Sequence, residues 1–255
     1  MNLGLKGKTA IVTGGAGGVG SGIVQALAEE GVNIIISDLM TLDEAAIAEK
    51  EATYGVKFVS RRVDCSKESD IVELFHAAAE QFDKVDILVN CAAFVGKAAV
   101  ATSIEEFRVE DFRKSEGVNV EGMMLMCREF VKLCNEKKQG GSIVNVLTKS
   151  AFFTSSVNNT QYIASKGASA MFIRGLAHEV AARNIRINGI IPGYIIVPGG
   201  PNDVPERKER IMKKIPNGEP ATPLDMGYMV AFLCSDKARQ TNGAWIDCSG
   251  ATMLG

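Results

Sequence analysis

The stretch TAIVTGGAGGVGSG, residues 9–22, decides the fold. It opens as a short β-branched run, passes through six glycines between positions 13 and 22, and enters a helical pattern near 20–30. Glycine has no Cβ, so such a loop turns tightly and lets backbone N–H groups approach an anion at a helix N-terminus. A flexible turn alone would look similar, so the context carries the argument. Strand, glycine loop and helix are followed by an acidic residue, Asp38, closing the next β-branched run NIIISD, residues 33–38.

That order is the pattern of a dinucleotide-binding βαβ unit. Gly14, Gly17, Gly18, Val19 and Gly20 are expected against a pyrophosphate, with Asp38 and Leu39 at the ribose beyond the second strand. A carboxylate accepts hydrogen bonds from a ribose diol and repels a 2′-phosphate, which favours NAD over NADP. The loop at 13–20 also holds no Lys or Arg to neutralise such a phosphate. Asp38 has another reading, as the N-cap of the helix expected at 41–53.

Outward from this unit the rhythm repeats. Strands are expected at 9–14, 33–38, 57–64, 85–91, 141–147, 185–193 and 244–250, with helices near 20–30, 41–53, 68–82, 108–138, 160–183, 205–214 and 223–235. Short β-branched runs alternating with 3.6-period segments indicate an α/β fold, a Rossmann-like doubly wound parallel sheet of about seven strands. With 255 residues and no linker composition, the chain reads as a single domain. Residues 193–218 hold four of the seven prolines and form the only long irregular connection, so a lid is expected at about 194–218.

Apolar residues make up 46% and charged ones 23%, an ordinary globular balance. A formal charge of −2 gives no concentrated basic face for nucleic acid. No apolar run is long enough for a signal peptide or a bilayer span, so cytoplasmic residence without membrane contact is expected. Six scattered cysteines without a C-x-x-C pair, and two distant histidines, His76 and His178, offer neither zinc spacing nor a His-based triad. No metal is expected.

Chemistry is expected where the strands end, since ligands bind beyond the carboxyl ends of a parallel sheet. Asp64-Cys65 closes the third strand and Asn90-Cys91-Ala92-Ala93 the fourth; simple turn chemistry would explain either. In QYIASKGASAMF, Tyr162 and Lys166 lie four residues apart on one helical face. A phenol is a poor base at neutral pH, and a nearby ammonium makes its phenolate more accessible.

Together these motifs resemble the short-chain dehydrogenase/reductase superfamily in its form of about 250 residues. Thr13-Gly14-x-x-x-Gly18-x-Gly20 matches the family's T-G-x-x-x-G-x-G loop, Asn90-Cys91-Ala92-Ala93 stands where N-N-A-G is usual, and Tyr162-x-x-x-Lys166 is followed by Pro192-Gly193. The resemblance covers nearly the whole chain. It implies hydride transfer between NAD(H) and a secondary alcohol or ketone. Tyr162 would exchange the hydroxyl proton, and Lys166 would lower its pKa and hold the nicotinamide ribose. Asn119 matches the asparagine that supports a water chain to that lysine.

The family's serine at the end of the fifth strand falls on Thr148 when SIVNVLT is aligned with the usual run, fourteen residues before Tyr162 where thirteen is common. Ser150 is the rival. Lys149 is expected to point away, because strand side chains alternate. The family's P-G-x-I-x-T appears as Pro192-Gly193-Tyr194-Ile195-Ile196-Val197, where the Val197 backbone could still bond the carboxamide. Phe94, Phe152, Phe153, Tyr194, Ile195, Ile196 and Met212 suit an apolar or cyclic substrate, hydroxysteroid-like or similar, unless they simply pack under the lid. The resemblance also implies a homotetramer, or a homodimer, through the helices near 108–138 and 160–183. An enoyl reductase of the same superfamily is a weaker reading, because those space Tyr and Lys more widely. A dinucleotide-binding scaffold or redox sensor with little turnover is the reading from a different class.

Overall fold

The structure is a computed structural model that describes residues 2–95, 103–153, 160–200 and 202–253. Seven strands are present: β1 Thr9–Thr13, β2 Asn33–Asp38, β3 Phe58–Arg62, β4 Ile87–Asn90, β5 Gly141–Val146, β6 Ile185–Pro192 and β7 Trp245–Cys248. They form one sheet in the order β3-β2-β1-β4-β5-β6-β7. All six pairings are parallel. The order reverses between β1 and β4, and the crevice beyond that reversal is where an open α/β sheet holds ligands.

A parallel sheet is covered on both faces, so its strands are apolar throughout rather than alternating. Alternate residues feed two cores. Ile11, Ile35, Leu88, Ile143 and Ile187 join one cluster, and Ala10, Val12, Ile34, Ile36 and Val144 the other. The first lies under α3 Glu68–Gln81, α5 Met123–Glu136 and α6 Thr160–Val180. The second lies under α1 Gly18–Glu29 and α8 Pro223–Cys234. α1 and α8 touch backbone to backbone at Gly22 and Gly227. A Cβ on Gly227 would sit 2.4 Å from the Gly22 carbonyl oxygen, and one on Gly22 2.2 Å from the Pro223 carbonyl carbon. A capping box between Thr222 and Asp225 fixes where α8 starts.

The helix expected over 108–138 is not uniform. It divides into α4 Val109–Glu116, a π-helical turn Gly117–Gly122 and α5. Such wide turns interrupt a helix where a function repays the poorer geometry, and this one carries Asn119. α2 Glu44–Tyr54 begins on Asp43, whose side chain accepts a hydrogen bond from the Ala46 N–H at 2.8 Å. The capping alternative for Asp38 is thereby corrected: Asp43 takes that position.

Beyond β6, Ile195 makes a lone parallel bridge to Ala221. Ile196 N–H donates to the Ala221 carbonyl at 3.1 Å and Ala221 N–H to the Tyr194 carbonyl at 3.0 Å. This clasp ties together the two ends of a segment that includes α7 Pro205–Met212, anchored by buried Ile211 and Ile215. Residue 201, within the expected lid, lies outside the described residues, as do 154–159 of the loop 151–161, which carries the extra residue between Thr148 and Tyr162. Among the described residues no helix is long and apolar enough to cross a membrane.

Candidate active site

Thr13 at the end of β1 ties the glycine loop to the β4 loop. Its Oγ1 accepts from the N–H groups of Cys91 and Ala92, both at 3.0 Å. Gly14 follows with φ +66°, and a Cβ there would stand 2.9 Å from Ala92 Cα, so only glycine fits the seam. α1 then starts at an N-cap, Gly17, that offers no side-chain hydrogen bond, and its first turn has no acidic residue. The leading N–H groups and the positive end of the helix dipole are left for an anionic group.

Asp38 stands beside this loop. Its carboxylate accepts from Ala16 N–H at 3.1 Å and Met40 N–H at 3.3 Å. A cavity of about 550 Å³ joins Gly14, Gly17, Gly18, Val19, Gly20, Asp38, Leu39, Asp64, Cys65 and Ala92. Met40, Phe94, Val95 and Val118 add apolar wall. Asp64 is held below the usual carboxylate range, chiefly by the Ser66 hydroxyl donating at 2.7 Å. An uncapped helix start, a glycine cradle and a carboxylate at the end of the next strand fit a nicotinamide dinucleotide. Asn90 faces elsewhere: its Nδ2 donates to Asn145 Oδ1 at 2.9 Å across β4 and β5, inside the sheet.

At the reactive end the structure brings Thr148 and Tyr162 together. The Tyr162 phenol lies close enough to the Thr148 side chain to feel it. Burial pushes the phenol up to about 12, a shift that the nearby Thr148 side chain opposes. Thr148 Oγ1 also accepts from Ser150 N–H at 3.4 Å, capping the short 3₁₀ turn Lys149–Ala151.

Lys166, one helical turn beyond Tyr162, is buried, and burial lowers its ammonium to about 8. Its Nζ donates to the Val146 carbonyl at 2.8 Å. The Cys91 thiol lies near both Tyr162 and Lys166, and burial pushes it up to about 12. The sequence placed Cys91 on the crevice as part of a motif but gave no sign of this proximity.

Asn119 is buried in the π-helical turn and holds three segments in register. Its Oδ1 accepts from Phe94 N–H at 2.7 Å, and its Nδ2 donates to the Phe94 carbonyl and to Ser165 Oγ, both at 2.9 Å. Ser169 Oγ donates to the Asn119 carbonyl at 2.9 Å. The β4 loop, the α4–α5 rod and the turn of α6 next to Lys166 thus meet on one side chain.

Lys149 does not follow the strand rule. β5 ends at Val146, so alternation no longer applies, and Lys149 is 8% exposed with its Nζ 3.6 Å from the Tyr194 ring centroid. A cation–π contact contributes about 0.5–2 kcal/mol, whereas desolvating an ammonium costs several.

Pro192 closes β6 and Gly193 lies against the Ser249 backbone. Val197 occupies the turn that follows, its carbonyl accepting from Gly200 N–H at 2.9 Å. Of the apolar residues expected around a substrate, Phe152 packs on Trp245 and the core, and Ile195 and Ile196 also join core packing. Phe94 lines the crevice, while Phe153 and Met212 are exposed. No cluster of His, Cys, Asp or Glu suited to a metal occurs among the described residues.

A family model described as "Enoyl-(Acyl carrier protein) reductase" matches residues 14–250. An uncharacterized oxidoreductase of Methylorubrum extorquens is 34% identical over 253 residues, covering 96% of this chain and 98% of its own. An NADP-dependent (R)-specific alcohol dehydrogenase of Lentilactobacillus kefiri is 33% identical over 250 residues, 94% of each chain. The crystal structure of a 3-ketoacyl-(acyl-carrier-protein) reductase from Brucella melitensis complexed with NADH superposes with a TM-score of 0.84 at 30% identity, over 98% of this chain and 99% of that one.

Proposed function

The chain belongs to the short-chain dehydrogenase/reductase superfamily, and on that premise we propose that it is an NAD(H)-dependent oxidoreductase interconverting a secondary alcohol and a ketone on an apolar or cyclic frame. The observation that carries the reading is the juxtaposition of the Tyr162 phenol and the Thr148 side chain at the carboxyl end of β5, with Lys166 buried one helical turn away. An alcohol oxidation needs a proton acceptor at the hydroxyl and a donor on the same oxygen. Tyr162 takes or returns that proton, and Thr148 holds the oxygen through its hydroxyl. The bound nicotinamide supplies the hydride acceptor or donor.

Lys166 orients the nicotinamide ribose in this reading. Asn119 acts as a positioning residue, because its contacts are with backbone and serine hydroxyls. Pro192, Gly193 and the Val197 backbone border the carboxamide. The choice of NAD over NADP rests on Asp38; relatives with the same fold are named for either nucleotide. The segment 194–218 serves as a lid hinged beyond the 195–221 clasp.

A dinucleotide-binding scaffold or redox sensor with little turnover is separated from this reading by the turnover test below, and a sensor acting through a cysteine thiol is disfavoured. Burial pushes Cys65, Cys91, Cys127 and Cys234 up to about 12, and Cys134 and Cys248 to about 11, far from a sensor thiolate. The six free cysteines suit the reducing cytoplasm. A groove of about 770 Å³ on α5 and α6, walled by Val120, Met124, Val131, Phe172 and Leu176, offers an apolar seat for a second copy in a homotetramer or homodimer. The test is turnover of a panel of secondary alcohols, steroids included, with NAD and with NADP. The reading requires NAD-linked ketone formation from at least one alcohol, and no oxidation with either nucleotide rejects it.

A further inference from the structure

We propose that the Lys149 ammonium is a specificity-determining group that binds a carboxylate on the substrate; this rests on the alcohol/ketone reading above and narrows its substrate class. Lys149 is 8% exposed, and among the described residues it has no carboxylate partner and no side-chain hydrogen bond. Its ammonium lies on the face of Tyr194, 3.6 Å from Nζ to the ring centroid. An ammonium carries three N–H donors. A ring face occupies at most one direction and supplies no full negative charge. A buried cation left in that state is more costly than one that meets an anion.

Its position says which anion. Lys149 follows Thr148 directly, at the carboxyl end of β5, and Tyr194 follows Pro192-Gly193 at the carboxyl end of β6. β5 and β6 are neighbours in the sheet, so the Lys149–Tyr194 pair spans the rim beside the Tyr162 phenol. A ligand whose alcohol oxygen lies between Tyr162 and Thr148 therefore extends its remainder past this pair. One ammonium balances one negative charge, which fits a monoanionic carboxylate better than a dianionic phosphate. Tyr194 holds the ammonium from behind through its ring face, restricting the rotamers of a long side chain that would otherwise lose entropy on binding.

The readout is the ratio of kcat/KM for hydroxy acids to that for their methyl esters, measured with NAD on a chain-length series of aliphatic and cyclic secondary alcohols. A charge-assisted hydrogen bond predicts an acid preference of about ten- to a hundredfold in the wild type. Lys149→Met should bring the ratio close to one, mainly through KM for the acid. Lys149→Arg should restore most of it, and Lys213→Met, on the exposed lid helix, should leave it in place. Equal use of acid and ester by the wild type, or an acid preference that survives Lys149→Met, overturns the assignment. Binding of the corresponding unsubstituted carboxylates to the protein saturated with NADH, followed by calorimetry, tests the site without turnover. Carboxylate binding that is lost in Lys149→Met supports the site even if every alcohol fails as a substrate, which would reject only the parent reading. No carboxylate binding to a wild type that oxidises neutral alcohols rejects the site alone.

Discussion

Replacing Lys166 with Met should stabilise the protein at neutral pH while removing its activity. The ammonium is buried and its pKa is lowered from 10.5 to about 8. The difference corresponds to about 3 kcal/mol at 1.36 kcal/mol per unit. The folded chain holds this proton less tightly than the unfolded chain. The cost is therefore fully present below pH 8 and fades as pH rises through the window from about 8 to 10.5, where only the unfolded chain remains protonated. Methionine keeps the apolar stem and removes the charge, but it also loses the 2.8 Å bond to the Val146 carbonyl, returning about 1 kcal/mol. The net gain is about 2 kcal/mol, or a rise in Tm of roughly 4–8 °C for a chain of this size. Urea unfolding of cofactor-free wild type and variant at about pH 7 and about pH 10 reads it directly. The comparison is between the two proteins at each pH, because the six cysteines ionise in both unfolded chains above pH ~8.5 and cancel. The variant's advantage should shrink to nothing or reverse at the higher pH, while turnover falls at least about a hundredfold at either. A variant less stable than wild type at neutral pH, or an advantage independent of pH, would refute the claim that Lys166 is a cation held in a desolvated site.

Asp38→Ala should lower the NAD-to-NADP ratio of kcat/KM at least about tenfold, and an unchanged ratio removes Asp38 from the ribose. Thr148→Ala should cost about 10²–10³ in kcat, as loss of a donor to a reacting oxygen does, while Thr148→Ser and Ser150→Ala stay within about tenfold; the reverse order gives the role to Ser150. Gly227→Ala should destabilise by about 1–3 kcal/mol in urea, since the overpacking against Gly22 outweighs alanine's helix preference of about 1 kcal/mol.

The sheet was legible because each strand is a β-branched run between turn residues, and every strand falls within two residues of its expected bounds. Runs such as NIIISD are apolar on both faces, which itself signals a strand covered from both sides. The division of the 108–138 helix was less accessible. GVNVEG keeps the helical period on either side, and the contact of Asn119 with Phe94, 25 residues away, is one that no local pattern shows. Sequence allows Asp38 as a cap, and the hydrogen bond from Ala46 N–H gives that place to Asp43. Thr148 was found by aligning a strand end, whereas the placement of Lys149 over Tyr194 depends on β5 and β6 lying side by side, which no local pattern records. Cys91 was visible as a residue and silent as a neighbour of Tyr162 and Lys166.

The central claim is that Tyr162 handles the proton of an alcohol whose oxygen Thr148 also holds. The most direct measurement is NAD-linked oxidation of a turned-over secondary alcohol by Tyr162→Phe, alongside NADH binding by the same variant. Phenylalanine keeps the ring and its packing, so NADH binding should stay within about threefold, while kcat falls by at least about 10²–10⁴, the share that acid–base catalysis supplies. Turnover by Tyr162→Phe at close to the wild-type rate, with NADH still bound, would contradict the account.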